Sequence, residues 1–335
     1  MSPDGQRASS PVRIAPTPYA DVDEEEVRAL TSEIARLRVE KDAVILAHNY
    51  QLPEVQDIAD FTGDSLGLSL TAQECEQQTI VFCGVHFMAE SAKILNPEKT
   101  VLLPHLAAGC SLADSITADS LQEWKDRYPD HAVVTYVNSS AEVKALSDIC
   151  CTSANAASVV RSLPGDKILF TPDRNLGAWV KKQVPEKDVV VYDGACPTHD
   201  VLRGANIDKT MKGLADTVII AHPECREDVL DLADEICSTS GMFEAVKRHP
   251  EAKTFVIATE WAHVHRLKQV YPDREFIVAD GCIGCRLHCP YMKMIDLPGV
   301  RRSLVEGVFP VTVDEDDQAG ARRALERMIA VPRDS

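Results

Sequence analysis

Short, continuous runs of Val, Ile and Leu recur along the chain, and longer stretches with helical periodicity separate them. Apolar runs without polar alternation are typical of parallel strands that are covered on both faces of their sheet. The predicted strands are 41–47, 79–83, 99–103, 132–137, 167–171, 188–192, 217–221, 254–258 and 275–279. The predicted helices include 22–39, 87–95, 176–183, 263–270 and 318–329. Strands and helices that alternate in this way indicate an α/β fold with right-handed crossovers.

The same layout occurs three times. Each copy begins with a strand that ends in a polar cluster, at 48–50, 136–138 and 222–224. An acidic residue follows, with a hydroxyl five positions later, in the pairs Asp60/Ser65, Asp148/Ser153 and Asp234/Thr239. Successive pairs are 88 and then 86 residues apart, and Cys110 and Cys196 are 86 apart. An internal period of this length means that each repeat is a structural unit.

Three pseudo-threefold-related α/β units are therefore predicted, at 22–108, 109–194 and 195–281. Each unit is small for an independent core, so we expect the units to pack on one another. Residues 1–21 are rich in Pro and Ser and are expected to form a disordered leader. The remaining tail, 282–335, carries the last cysteines and is expected to return to the first unit.

Composition narrows the function. The net charge of −17 argues against nucleic-acid binding, because no basic stripe exists to meet a phosphate backbone. Small anionic substrates remain possible, since helix N-termini and local cations can hold them. No run approaches the ~20 apolar residues of a membrane helix, and the N-terminus lacks the apolar core of a signal peptide. We therefore expect a cytoplasmic protein without membrane or nucleic-acid partners, in which 11 cysteines indicate metal or redox chemistry rather than disulfides.

Ligands of parallel α/β sheets bind beyond the carboxyl ends of the strands, and every polar cluster lies at such an end. If the units face inward, these clusters line one central cavity with side chains His48, Tyr50, Tyr136, Asn138, His222 and Glu224. Ser65, Ser153 and Thr239 have two interpretations, since a hydroxyl at a helix start can cap the helix or help to bind a carboxylate or phosphate. His199 lies three residues after Cys196 and is a further candidate. The other histidines, His263 among them, are expected to be structural.

Cys110 and Cys196 lie in Gly-containing turns, where a thiolate can be presented to a metal. The third repeat offers three thiols, Cys282, Cys285 and Cys289, and their spacing does not choose among them. Four thiolates would complete a zinc site or a fully ligated iron–sulfur cluster. Three would leave one iron of a [4Fe-4S] cluster open to substrate. The sequence alone thus predicts a pseudo-threefold metal site with an undecided third ligand.

The chain resembles the quinolinate synthase family. The resemblance rests on segments 47–51 (AHNYQ), 59–66 (ADFTGDSL), 84–90 (GVHFMAE), 108–114 (AGCSLAD), 136–138 (YVN), 193–199 (DGACPTH), 222–224 (HPE), 239–242 (TSGM) and 289–294 (CPYMKM). It implies three α/β/α sandwich units with short parallel sheets around a central cavity that contains one [4Fe-4S] cluster. It also implies that Cys110, Cys196 and Cys289 are the three ligands, that one iron is open, and that Cys282 and Cys285 are additional thiols.

The resemblance implies a reaction as well. In this family, iminosuccinate (iminoaspartate) condenses with dihydroxyacetone phosphate to give quinolinate, phosphate and two waters in de novo NAD biosynthesis. An aspartate oxidase or dehydrogenase is the implied source of iminoaspartate. The implied substrate-binding residues are His48, Ser65, Tyr136, Asn138, Ser153, His199, His222, Glu224 and Thr239. The implied catalytic residues are Tyr50, Glu224, His222 and His48, with Glu224 as the general base.

Two alternatives stay open at this stage. An aconitase-type hydro-lyase would use the same open iron but would need no phosphate pocket. A non-catalytic iron–sulfur or zinc sensor would use Cys282, Cys285 and Cys289 with Cys196, and would leave the polar clusters at three strand ends without a purpose.

Overall fold

The computed structural model describes residues 24–282 and 285–334. The predicted leader at 1–21 lies outside this part, as do the side chains of Cys282 and Cys285. No helix in the described ranges is long and apolar enough to cross a membrane.

Three four-stranded parallel sheets form the framework, and their strands follow one another in the same spatial order. The first sheet has the order β2-β1-β3-β4, from β1 (Ala43–His48), β2 (Phe61–Gly63), β3 (Thr79–Cys83) and β4 (Thr100–Leu102). The second has the order β6-β5-β7-β8, from β5 (Ala132–Tyr136), β6 (Ile149–Cys151), β7 (Lys167–Thr171) and β8 (Asp188–Val191). The third has the order β10-β9-β11-β12, from β9 (Thr217–Ala221), β10 (Glu235–Ile236), β11 (Thr254–Ala258) and β12 (Glu275–Val278). The α/β fold with three repeated units is confirmed.

Helices flank the three sheets. Around the first lie α1 (Glu24–Glu40), α2 (Pro53–Ile58), α3 (Ser65–Glu74) and α4 (His86–Leu95). Those of the second are α5 (Ala118–Arg127), α6 (Ala141–Ala145), α7 (Ala156–Ser162) and α8 (Arg174–Gln183). The third repeat carries α9 (Pro197–Asp200), α10 (Gly204–Met211), α11 (Glu227–Leu230), α12 (Thr239–Arg248) and α13 (His263–Val270). A short antiparallel pair, β13 (Asp280–Cys282) and β14 (Cys285–Arg286), leads into α14 (Leu297–Glu306) and α15 (Glu315–Ile329).

One edge strand in each sheet was not predicted from the sequence pattern. These strands, β2, β6 and β10, have only two or three residues. Such short segments carry no apolar run long enough to be recognised, and they pair only through the longer strand beside them. The other predicted strands agree with the structure to within two residues at either end.

The repeated acidic residues directly precede these edge strands, and they bind the backbone of the neighbouring central strands. The Asp60 carboxylate accepts a hydrogen bond from the backbone N–H of Ile45 at 2.9 Å. Asp148 and Asp234 each accept the same bond from the residue 15 positions earlier, at 2.7 and 2.8 Å. In all three repeats, an unpaired N–H at the start of the central strand is satisfied in this way. The acidic member of each repeated pair is therefore structural.

The tail joins the first two units. Helix α14 packs against α1, where Arg301 pairs with Glu33 at 2.7 Å. Helix α15 packs across α6 and β6 and also reaches α4. One continuous apolar core includes the first two sheets, α14 and α15, whereas two separate apolar clusters cover the third sheet. The fully buried core of the third sheet is thus separate, and partly buried side chains such as Trp179 and Trp261 connect it to the main core.

We expect Asp148→Ala to lower the free energy of unfolding by about 1–2 kcal/mol, because it leaves the N–H of Val133 without its charged acceptor. Chemical denaturation at neutral pH measures the change. Asp208→Ala, on the exposed face of α10, serves as the control and should change stability little. Equal effects of the two substitutions would contradict the structural role.

Candidate active site

One cavity lies beyond the carboxyl ends of the central strands β1, β5 and β9, where the three units meet. Every residue that the family resemblance implies for the site lines it: His48, Tyr50, Ser65, Cys110, Tyr136, Asn138, Ser153, Cys196, His199, His222, Glu224, Thr239 and Cys289. Residues separated by almost the whole chain therefore converge in one place. This follows from the shared topology, since each unit presents the same strand end to the common centre.

Three cysteines reach this cavity, each from a different part of the chain. Cys110 follows β4, Cys196 precedes α9, and Cys289 lies in the tail before a short helical turn at Met292–Met294. In each case backbone N–H groups two or three residues later lie against the sulfur. Thiolates are stabilised by such N–H groups at the start of a helical turn. The six other cysteines whose side chains the structure describes do not line the cavity.

The three sulfurs are close enough to affect one another's ionisation. Burial raises the pKa of Cys110 to about 12 and that of Cys289 to about 11. Burial also raises the pKa of Cys196, and the negative charges of Glu224, Cys110 and Cys289 raise it further. A bound cation would reverse this effect, because a coordinating metal deprotonates its thiols. Three soft, converging donors of this kind are suited to an iron–sulfur cluster.

Glu224 is the centre of the acid–base groups. Its carboxylate lies 2.8 Å from Nδ1 of His199 and accepts a hydrogen bond from the Tyr136 hydroxyl. Burial, the largest effect, would raise the pKa of Glu224, but the neighbouring imidazoles of His199 and His222, with hydrogen bonds from His199 and Tyr136, outweigh burial and lower it. The pKa lies below its ordinary value, so Glu224 is ionised. Ligand atoms of Cys196, His199 and Glu224 also lie within 4.8 Å of one another, so this group could hold a single metal ion.

Two tyrosines retain their protons beside this carboxylate. Burial, and then the charge of Glu224, raise the pKa of both Tyr50 and Tyr136 well above the ordinary value. The Tyr50 hydroxyl is hydrogen-bonded to the hydroxyl of Thr259, which lies 2.9 Å from Nε2 of His199. A chain of hydrogen bonds therefore runs from Tyr50 through Thr259 and His199 to Glu224.

His48 and His222 occupy equivalent repeat positions and have equivalent bonding. Nδ1 of His48 accepts the backbone N–H of Tyr50 at 3.1 Å, and Nδ1 of His222 accepts that of Glu224 at 3.3 Å. Burial lowers the pKa of His48 to about 4 and that of His222 to about 3, so both are neutral. A neutral imidazole that accepts at Nδ1 must carry its proton on Nε2. Each histidine thus offers an uncharged N–H donor, and that of His222 lies 3.1 Å from the Ser153 hydroxyl.

The three repeated hydroxyls do not cap their helices. Ser65 and Thr239 are the first residues of α3 and α12, and the preceding residues, Asp64 and Ser238, form the caps. Ser153 lies two residues before Asn155, which precedes α7. The capping interpretation from the sequence is therefore wrong for these side chains, which are left to face the cavity.

Sequence reasoning missed several residues that hold the site. Glu260 and Lys293 form a fully buried ion pair at 3.0 Å, and Lys293 also donates to the carbonyl of Tyr50. Glu260 accepts the N–H of Cys289 at 3.3 Å. Thr259 and Glu260 directly follow β11, so the strand-end rule that singled out His222 could have found them. Nothing in the sequence pattern pairs Glu260 with Lys293.

A buried cavity that unites three thiols with paired acidic and basic groups, at the junction of three α/β units, is the site of an enzyme. The family model described as quinolinate synthetase A protein matches residues 32–330. The chain belongs to this family. It is 52% identical to the quinolinate synthase of Geobacter metallireducens over 305 residues, which cover 91% of this chain and 98% of that protein.

Two further relatives are also named quinolinate synthases. The chain is 50% identical to the quinolinate synthase of Geotalea uraniireducens over 302 residues, which cover 90% of this chain and 97% of that protein. It is 47% identical to that of Thermodesulfovibrio yellowstonii over 305 residues, with 91% and 99% of the two chains covered.

The buried neutral histidines make stability depend on pH. Burial lowers the pKa of His263 to about 3, whereas an unfolded histidine titrates near 6.5. The unfolded state therefore takes up the proton first, and stability that is present above about pH 6.5 is lost as the pH falls towards 3. Between pH 7.5 and 5.0, His263→Gln should lose about 2 kcal/mol less than the wild type, as denaturant titrations at both pH values would show. His105→Gln, in the loop after β4, is the control, and the same pH response in all three proteins would contradict the prediction.

Proposed function

We propose that this protein is a quinolinate synthase that condenses iminoaspartate with dihydroxyacetone phosphate and releases phosphate and two waters. The observation that supports this most strongly is the convergence on one cavity of three cysteines, two neutral histidines and three hydroxyls that do not cap their helices. These residues combine thiols that can bind a metal with hydrogen-bond donors that can bind several anionic groups. Iminoaspartate would come from an aspartate oxidase or dehydrogenase, and the reaction would take place in the cytoplasm.

Cys110, Cys196 and Cys289 would hold one [4Fe-4S] cluster per chain. The donor set agrees with this, since the three buried thiols lie together and are surrounded by backbone N–H groups. When bound, the cluster would supply an open, Lewis-acidic iron that polarises a substrate oxygen. Among the side chains that the structure describes, no fourth cysteine lines the cavity.

The anionic groups of the substrates would be held by uncharged donors. His48 and His222 present Nε2–H groups, and Ser65, Ser153 and Thr239 present hydroxyls from three different units. The buried Oδ1 of Asn138 has no hydrogen-bond partner among the described residues, so it is available to a substrate hydroxyl or imine N–H. Donors on opposite sides of a cavity would orient two substrates towards each other, which favours their condensation.

Proton transfer is assigned to the hydrogen-bonded chain around Glu224. Its ionised carboxylate can take the proton that must leave carbon or nitrogen during enamine formation and tautomerisation. Tyr50 and Tyr136 retain their protons and can donate to oxygen as water leaves. His199 and Thr259 join Glu224 to Tyr50, so a proton can move between the two ends without reaching bulk water.

We expect each of Cys110→Ser, Cys196→Ser and Cys289→Ser to reduce iron from about four atoms per chain to nearly none in anaerobically purified protein. Elemental analysis and visible absorption measure the loss. Cys237→Ser is the control, because this half-buried thiol lies outside the cavity.

Two results would contradict the ligand assignment. Retention of the cluster in Cys289→Ser with loss in Cys282→Ser would place the third ligand elsewhere. One zinc per chain that survives both Cys110→Ser and Cys289→Ser would indicate the mononuclear site of Cys196, His199 and Glu224.

For the reaction, we expect cluster-loaded wild-type enzyme to form quinolinate from iminoaspartate and dihydroxyacetone phosphate under anaerobic conditions. Glu224→Gln should lower kcat by about 10²–10⁴-fold, because the general base is lost. Glu227→Gln, on an exposed carboxylate three residues away, is the matched control. Absence of quinolinate with the wild type would refute the function, and an unchanged kcat in Glu224→Gln would refute the assigned base.

A further inference from the structure

The segment 331–334, here called the tail strap, contacts the loops that carry two of the three cavity hydroxyls and reaches the loop of the third through Asp64. It follows α15 and lies far from Ser65, Ser153 and Thr239 in sequence. Two of these contacts are made with the residue directly before or after the hydroxyl-bearing residue. The third is made through a hydrogen bond of such a residue. The strap therefore contacts residues that adjoin the hydroxyl-bearing residues of the cavity.

Arg333 makes the main contact. Its guanidinium forms two hydrogen bonds to the carboxylate of Asp64, at 2.5 and 3.0 Å. Asp64 lines the cavity, precedes Ser65, and accepts the N–H of Gly67 at 2.8 Å. The same carboxylate lies 3.3 Å from the hydroxyl of Ser238, which precedes Thr239. Arg333 thus fixes a carboxylate that joins the first unit to the third.

Asp334 makes the second contact. Its carboxylate accepts the N–H groups of Ala157 and Ser158 at 3.1 and 2.7 Å, and its own N–H donates to the carbonyl of Ala154 at 2.7 Å. Ala154 directly follows Ser153. Asn155 adds side-chain bonds to the carbonyls of residues 328 and 331, at 3.1 and 3.3 Å. The strap therefore fixes the hydroxyl loop of the second unit as well.

The contact between Arg333 and Asp64 is significant because the charged carboxylate of Asp64 lines the cavity. The three carboxylates that line the cavity each face a nitrogen: Glu224 that of His199, Glu260 that of Lys293, and Asp64 that of Arg333. A buried carboxylate without a partner would repel an anionic ligand strongly, because charges in a buried site are poorly screened. Arg333 is the only one of these three partners supplied from beyond α15.

We propose that the tail strap is a positioning element for anion binding, in which Arg333 neutralises and orients Asp64 so that the neighbouring hydroxyls can receive a carboxylate or phosphate. This inference depends on the proposed function, which supplies the anionic substrates. Arg333 touches no reacting atom and acts through Asp64.

The test is Arg333→Gln in cluster-loaded protein, with quinolinate affinity measured by calorimetric titration. The dissociation constant should rise by about tenfold or more, the factor equivalent to ~1.4 kcal/mol, and KM for dihydroxyacetone phosphate should rise more than kcat falls. The double variant Asp64→Asn/Arg333→Gln removes both charges and should recover most of the affinity. Arg327→Gln is the matched control, since this arginine of α15 donates to the carbonyl of Asp148 and lies outside the cavity.

Unchanged quinolinate affinity in Arg333→Gln would overturn the inference, and so would a double variant as weak as the single one. If Arg333→Gln does not fold, Arg333→Lys replaces it and should bind more weakly than wild type, since lysine keeps the charge but loses the bidentate geometry. The same titrations with inorganic phosphate separate the two hypotheses. A wild type that neither binds nor makes quinolinate refutes the proposed function, whereas equal phosphate affinity in wild type and Arg333→Gln refutes the strap.

Discussion

The buried, ionised carboxylate of Glu224 is the interaction on which the assembled site depends. A buried charge is tolerated only when it is paired and hydrogen-bonded, and Glu224 obtains His199 from its own unit and the Tyr136 hydroxyl from the second. Its partners cannot be satisfied unless the second and third units meet as they do. The stabilisation of the charge on Glu224 therefore requires the observed placement of the second unit against the third.

This constraint explains why the junction of the third unit is polar. Two separate apolar clusters cover the third sheet, and partly buried side chains such as Trp179 and Trp261 make its apolar contacts with the main core. Its bonds across the cavity include Thr259 with Tyr50, and Thr239 with Asn49 at 2.9 Å. The pair of Glu260 and Lys293 adds the tail to the same junction. Because polar bonds depend strongly on distance and angle, they specify the geometry of the cavity more narrowly than apolar packing would.

The sequence pattern was sufficient to predict the repeated elements, but it was insufficient to predict which distant residues contact each other. The central strands and the polar residues at their ends could be predicted, because period and burial leave a local signal at positions such as His48 and His222. The edge strands left no such signal, since β10 has two residues and forms only against β9. Contacts such as Arg333 with Asp64 join residues 269 positions apart. They arise only after the tail has packed on the first two units, so no local pattern records them.

The two neutral histidines show how a strongly acidic protein can present hydrogen-bond donors that are suited to anions. A buried cation costs more to desolvate than a neutral ring, and each imidazole here is kept neutral by burial while a backbone N–H fixes which nitrogen carries the proton. The cavity thereby gains directional donors without adding charges that need partners of their own. Two of the three carboxylates in its wall, Asp64 and Glu260, are each paired with a cation, so nearly all of the net charge of −17 is carried elsewhere on the molecule. Local pairing, rather than the overall sign of the protein, decides what this cavity can bind.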